Sequence, residues 1–106
     1  MNMTKKVKQL LRKQVNIVKN MYPELLIQVD MIGEDILVGI DSLNISKEKK
    51  YKDLMYDFIK EYHKKGYFDI YWGVSSYLTC DNLDLLEDLV KTPEAEIPVE
   101  KKAANF

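Results

Sequence analysis

A single cysteine, Cys80, among 106 residues excludes an intramolecular disulfide framework and fits a reducing compartment, with the cytoplasm as the default expectation. Histidine is equally scarce, and His63 stands beside Tyr62 on a lysine-rich stretch. Nucleophilic or acid–base catalysis needs a base and an orienting group within hydrogen-bond reach. Cys80 adjoins Asp81, whose charge opposes a thiolate, so the thiol reads as a small buried residue and His63 as a solvated one. Four glycines are too dispersed for a phosphate-cradling loop. These absences lead to the expectation of a protein that is not an enzyme and uses no cofactor.

Arginine is nearly missing too: Arg12 stands against fifteen lysines. Bidentate recognition of phosphates and base edges favours arginine, so sequence-specific nucleic-acid binding is disfavoured. No apolar run approaches the ~20 residues needed to span a bilayer, so no membrane association is expected. The N-terminal Met-Asn-Met-Thr-Lys-Lys leads into nothing like the apolar core of a secretory signal.

What the chain does have is an ordinary globular balance, with 46% apolar and 31% charged residues. Its net charge of −1 conceals blocks. Residues 1–20 carry six basic groups and no acid, whereas residues 67–100 carry eight acids and one lysine. Such blocks attract each other or a partner of opposite sign.

Helical spacing of Val7, Leu10, Leu11, Val15, Val18 and Met21 predicts a first helix over 4–21, capped by Thr4 and stopped at Tyr22-Pro23. Leu25, Ile27, Val29 and Met31 alternate with Leu26, Gln28 and Asp30. After Gly33-Glu34 the alternation resumes through Ile36, Val38 and Ile40, which predicts a type II′ hairpin. Ser46 is the expected cap of a second helix carrying Tyr51, Leu54, Met55, Phe58 and Tyr62, closed by Gly66.

A long third strand is expected over 67–78. One row, Phe68, Ile70, Trp72 and Val74, is apolar. The other, Tyr67, Asp69, Tyr71, Gly73, Ser75 and Tyr77, is a tyrosine-bearing polar row. Asp81 or Asn82 then caps a short helix with Leu83, Leu86 and Val90, ending near Lys91 and Pro93.

The predicted architecture is α+β, in the order α-β-β-α-β-α. It has a three-stranded antiparallel sheet in spatial order 2-1-3, two helices on one face and a short C-terminal helix. Residues 1–92 form one domain and 93–106 a flexible tail.

Several constellations bear on chemistry. Lys65-Gly66-Tyr67 followed by Ile70 and Trp72 is similar to the opening of the RNA-recognition-motif signature. Phe68 and Asp69 depart from that pattern, Asp69 would repel phosphate, and the element order differs. Asn82-Leu83-Asp84 with Leu86 and Asp88 resembles the acidic helix of barstar-like inhibitors over fewer than ten residues. It lies at the opposite end of the chain from that family's helix, so only its physics is kept: an acidic strip covers a basic surface. Asp30, Asp41 and Asp69 do not make a metal site, because the hairpin register separates Asp30 and Asp41 by about 13 Å along the strands.

The functional expectation is a small protein-binding module that covers a partner's surface. Its size and lack of chemistry fit an accessory or inhibitor-type regulatory protein of bacteria or phages, with homodimerisation through the third strand as one form of association. Tyr67, Tyr71 and Tyr77 would anchor, since tyrosine gives large contact area at low entropy cost. Asp69, Asp84, Glu87 and Asp88, beside Asp81, would steer towards a basic surface. The alternative is nucleic-acid binding through Lys5, Lys8, Arg12 and Lys19 on the solvent side of the first helix.

Overall fold

The computed structural model describes residues 2–87. Helix α1 (Lys5–Met21) starts where expected: the Thr4 hydroxyl accepts the Val7 N–H at 3.3 Å, satisfying one of the unpaired donors of the first turn. Its buried stripe is Val7, Leu10, Leu11, Gln14, Val15 and Val18. Tyr22 closes the helix by donating its N–H to the Val18 carbonyl at 2.8 Å, and Pro23 prevents continuation.

Strands β1 (Ile27–Ile32) and β2 (Asp35–Ile40) form the expected antiparallel hairpin, with Ile32 opposite Asp35 and Asp30 opposite Leu37. Gly33 takes φ +61° while Glu34 keeps a negative φ, the pattern of a type II′ turn. The register puts Ile27, Val29, Ile36, Val38 and Ile40 on one face, all buried against α1 and the helix that follows.

Ser46 is not the cap of the main second helix. Its hydroxyl donates to the Leu43 carbonyl at 2.5 Å, inside a short helix α2 (Leu43–Ser46) that Ser42 caps. Helix α3 (Lys49–Lys65) begins instead at Glu48, whose side chain makes no capping bond. At its far end Gly66 adopts φ +78°; its N–H bonds the His63 carbonyl and the Tyr67 N–H bonds that of Tyr62, satisfying two terminal carbonyls. Tyr51, Phe58 and Tyr62 are buried, with Leu54 and Met55 partly so.

The sheet order differs from the expectation. Strand β3 (Ile70–Val74) lies beside β2, not β1, and runs parallel to it, giving a mixed sheet in order β1-β2-β3. The helical crossover does force β2 and β3 to share a direction, as the sequence implies. A crossover of this length also lets them be neighbours, the usual βαβ solution. The outer edge of β1 is taken by a later segment: Val29 donates to the Asn82 carbonyl and Asn82 to that of Ile27, both at 2.9 Å.

The third strand is also shorter than its alternation suggests. Tyr67 belongs to the helix cap, and by Tyr77 the backbone has turned to φ +66°. Between them Ser75 packs over Gly39, with its Cβ 2.7 Å from where a Gly39 side chain would begin. In place of the short C-terminal helix, residues Asp84–Leu86 form one 3₁₀ turn. It anchors Leu86 in the core against α1. Val90, Lys91, Pro93 and the expected tail lie outside the described residues. Among the described residues no helix is long and apolar enough to cross a membrane.

Candidate protein-interaction edge

Strand β3 ends the sheet. Ile36 donates its N–H to the Asp69 carbonyl, and Ser75 donates to the Ile40 carbonyl, both at 2.8 Å. Backbone groups alternate sides along a strand, so Asp69, Tyr71, Gly73 and Ser75 are the residues bonded to β2. Ile70, Trp72 and Val74 therefore aim their N–H and C=O groups outward. No strand among the described residues pairs with them. An edge of this kind is a template for strand addition unless charge, proline or a covering loop blunts it.

It is not blunted. Ile70 is buried and Trp72 half-buried, whereas Phe68 is 63% exposed, Tyr71 50% and Val74 45%. Ile59 on α3 is also exposed, and Tyr56 follows one turn away on the same stripe. Between α3 and β3 lies an open pocket of about 230 Å³, walled by Met55, Ile59, Tyr62, His63, Phe68 and Trp72 among others. Scattered exposed apolar residues need no explanation, but a cluster along an open strand edge does.

A buried polar chain sets the pocket's floor. Trp72 Nε1 donates to the Tyr62 hydroxyl at 2.7 Å, and that hydroxyl donates to Gln14 Oε1 at 2.5 Å. Gln14 Nε2 in turn reaches Glu61 Oε1 at 3.5 Å. The chain ties β3 to both long helices. Burial is the largest influence on Tyr62 and pushes its pKa well up, with the Trp72 hydrogen bond opposing. The Trp72 ring also packs on Phe58, with centroids 5.4 Å apart. Gln14 escaped the sequence reading, although its position on the stripe, between Leu10 and Val18 at helical spacing, was a usable signal.

The expected tyrosine row does not exist as one face. Tyr67 packs partly buried against the core, Tyr71 stands on the face away from the helices, and Tyr77 is 97% exposed on the turn beyond the strand. The apolar row is likewise broken, since Phe68 precedes the strand and leans on His63, with ring centroids 5.5 Å apart. Asp69 is half-buried, Asp84 and Glu87 are exposed, and Asp88 lies outside the described residues. Cys80 is exposed, correcting its expected burial.

The acidic C-terminal block serves the fold before any partner. Asp81 Oδ1 accepts the Ile27 N–H at 2.9 Å, and its carboxylate pairs with Lys19 at 2.8 Å. Burial alone would raise the Asp81 pKa. The Lys19 hydrogen bond and charge, with the Ile27 N–H, outweigh it and hold the carboxyl below its ordinary value.

The C-terminal segment engages part of the basic side of α1. Lys19 also donates to the Leu25 carbonyl, Lys8 to the Glu87 carbonyl at 3.3 Å, and Arg12 is half-buried beside a shallow pocket that Leu83 and Leu86 also line. Of Lys5, Lys8, Arg12 and Lys19, only Lys5 is fully solvent-facing, in place of the expected basic solvent stripe.

No family model, curated protein or solved structure matches this chain. The site therefore rests on its own geometry.

Proposed function

We propose that this chain is a protein-interaction module that engages a partner by strand addition at β3. The observation that carries the reading is the outward row of backbone donors and acceptors on Ile70, Trp72 and Val74, flanked by exposed Phe68, Tyr71 and Val74 side chains. In this mode main-chain hydrogen bonds supply affinity and the alternating side chains supply selectivity. The polar chain through Trp72, Tyr62 and Gln14 holds the edge in place, so little ordering is needed on binding. A regulatory or inhibitory role is the form of action that suits such a module. Its anchors are Tyr71 and Phe68, with the acidic groups near 81–87 left to bias which surfaces approach.

Affinity capture from nuclease-treated source lysate tests this, with wild-type bait beside Tyr71→Ala and Val74→Pro. Val74 directs its N–H away from β2, so proline there removes an outward donor and leaves the internal ladder whole. A specific protein retained by wild type and lost by both variants, each keeping native Trp72 fluorescence, is the expected result. A partner held equally by all three would refute the edge as the binding site.

A further inference from the structure

We infer that the β3 edge is self-complementary and that a second copy of this chain is its occupant, joined about a two-fold axis at Trp72. The inference rests on the strand-addition reading above and names its partner. In an antiparallel pairing centred on Trp72, Ile70 meets Val74 of the other copy and Tyr71 meets Gly73. The residues whose backbone groups point outward are Ile70, Trp72 and Val74. These are the positions that exchange hydrogen bonds in that register, two per facing pair. All three outward donors and acceptors of each copy are then satisfied together. Shifting the register by one residue would instead oppose inward-bonded residues to outward ones.

The side chains agree with the backbone. Tyr71 and Gly73 fall at a non-hydrogen-bonded pair, where strands approach most closely. A side chain at Gly73 would have nothing within 4 Å, so the glycine leaves an open floor for an aromatic ring from across the interface. Covering a strand glycine with a cross-strand aromatic ring is a recognised stabilising arrangement. On the helix face, Val74, now 45% exposed, would meet Ile70, and the exposed Ile59 would face its counterpart across the axis. An axis perpendicular to the sheet keeps both copies' helices on one side, so both layers continue across the junction.

Area fixes the strength to look for. Helix α3, at about 25 Å long, and two layers about 20 Å thick give roughly 500 Å² per copy, or about 1,000 Å² in all, the low end of specific interfaces. An interface at that end of the range is typical of weak, reversible association, and a dimer forming in the micromolar range is the expected outcome.

Sedimentation velocity from roughly 1 to 200 µM spans that regime. Wild type should pass from monomer to dimer, and Val74→Pro should weaken the dimer more than about tenfold by removing a donor from each copy and placing a ring against the other. As a check independent of proline, Tyr71→Cys and Gly73→Cys chains in a Cys80→Ser background are mixed under mild oxidation. A mixed disulfide dimer well above the statistical 1:2:1 proportion is expected from equal amounts of the two chains.

Wild type that stays monomeric at 200 µM, or disulfide species in the statistical 1:2:1 proportion, would overturn the second-copy assignment. The capture experiment would still judge the strand-addition reading. A dimer untouched by Val74→Pro would overturn the use of β3 in self-association.

Discussion

Replacing Tyr62 by phenylalanine removes one oxygen and disconnects three elements. The ring remains buried, so packing changes little, but two partners lose their contact. Gln14 Oε1 is left in a residue only 1% exposed, with its amide turned towards Glu61. An orphaned buried acceptor of this kind costs about 1–3 kcal/mol. Trp72 Nε1 also loses its acceptor, but Trp72 is half-buried and can recruit water, so its share is about 0.5–1 kcal/mol. The expected total is about 1.5–4 kcal/mol, a large fraction of the stability of a domain this size.

Urea denaturation followed by the fluorescence of the single tryptophan reports the change in the network itself. Gln14→Leu in the Tyr62→Phe background removes the orphaned acceptor, and the double variant should recover part of the loss, with a coupling of about 1–2 kcal/mol. A Tyr62→Phe cost below about 0.5 kcal/mol, or strict additivity of the two changes, would show that the chain of hydrogen bonds is not what holds β3 to the helices.

Gly39→Ala should destabilise by about 1–3 kcal/mol, since the new methyl collides with Ser75, and Ser75→Gly should recover most of it; thermal melts of the three proteins decide. Asp81→Asn should cost less than about 1 kcal/mol at neutral pH, because the Lys19 pair is partly solvated and the amide oxygen can still accept from Ile27. The wild-type pair stabilises fully above the unfolded carboxyl value of about 4 and fades as pH falls through the lower folded value, so Asp81→Asn should flatten the acid limb of a stability–pH curve. Tyr62 works in the other direction: its raised folded pKa means stability is intact below the unfolded value near 10 and declines above it. Tyr62→Phe should lessen that alkaline decline, to which Tyr22 and Tyr51, raised by burial as well, also contribute.

The features legible in the sequence were those decided by a few adjacent residues. Thr4 caps α1, Gly33-Glu34 turns the hairpin and Gly66 ends α3 because each needs only local backbone geometry. The neighbour of β3 was not legible, because both hairpin strands are apolar enough to be central. The choice was made by residues far along the chain, where Asp81 and Asn82 occupy the outer side of β1.

Alternation misled at 67–78 for a related reason. Tyr67 keeps a two-residue rhythm while belonging to a helix cap, Phe68 keeps it while lying between helix and strand, and Tyr77 keeps it while sitting in a turn. A period shows which way side chains would point in a strand, not whether a neighbour is there to make one. The candidate site was thus half visible: Tyr71, Trp72 and the open edge could be read, but not the separation of the tyrosines or the internal use of Lys8 and Lys19.

The clip of Asp81 and Asn82 onto β1 has a bearing on growth. Sheets propagate into fibres when both flanks can accept another strand, because each addition leaves a fresh flank exposed. Here the first turns of β1 are already occupied by the chain's own return segment. Addition at β3, as proposed above, would leave only the short end of the β1 edge at residues 30–32 for a further strand, which favours stopping at the first step. Cutting the clip, and not lengthening β3, would be the way to convert this protein from a closing unit into a polymerising one.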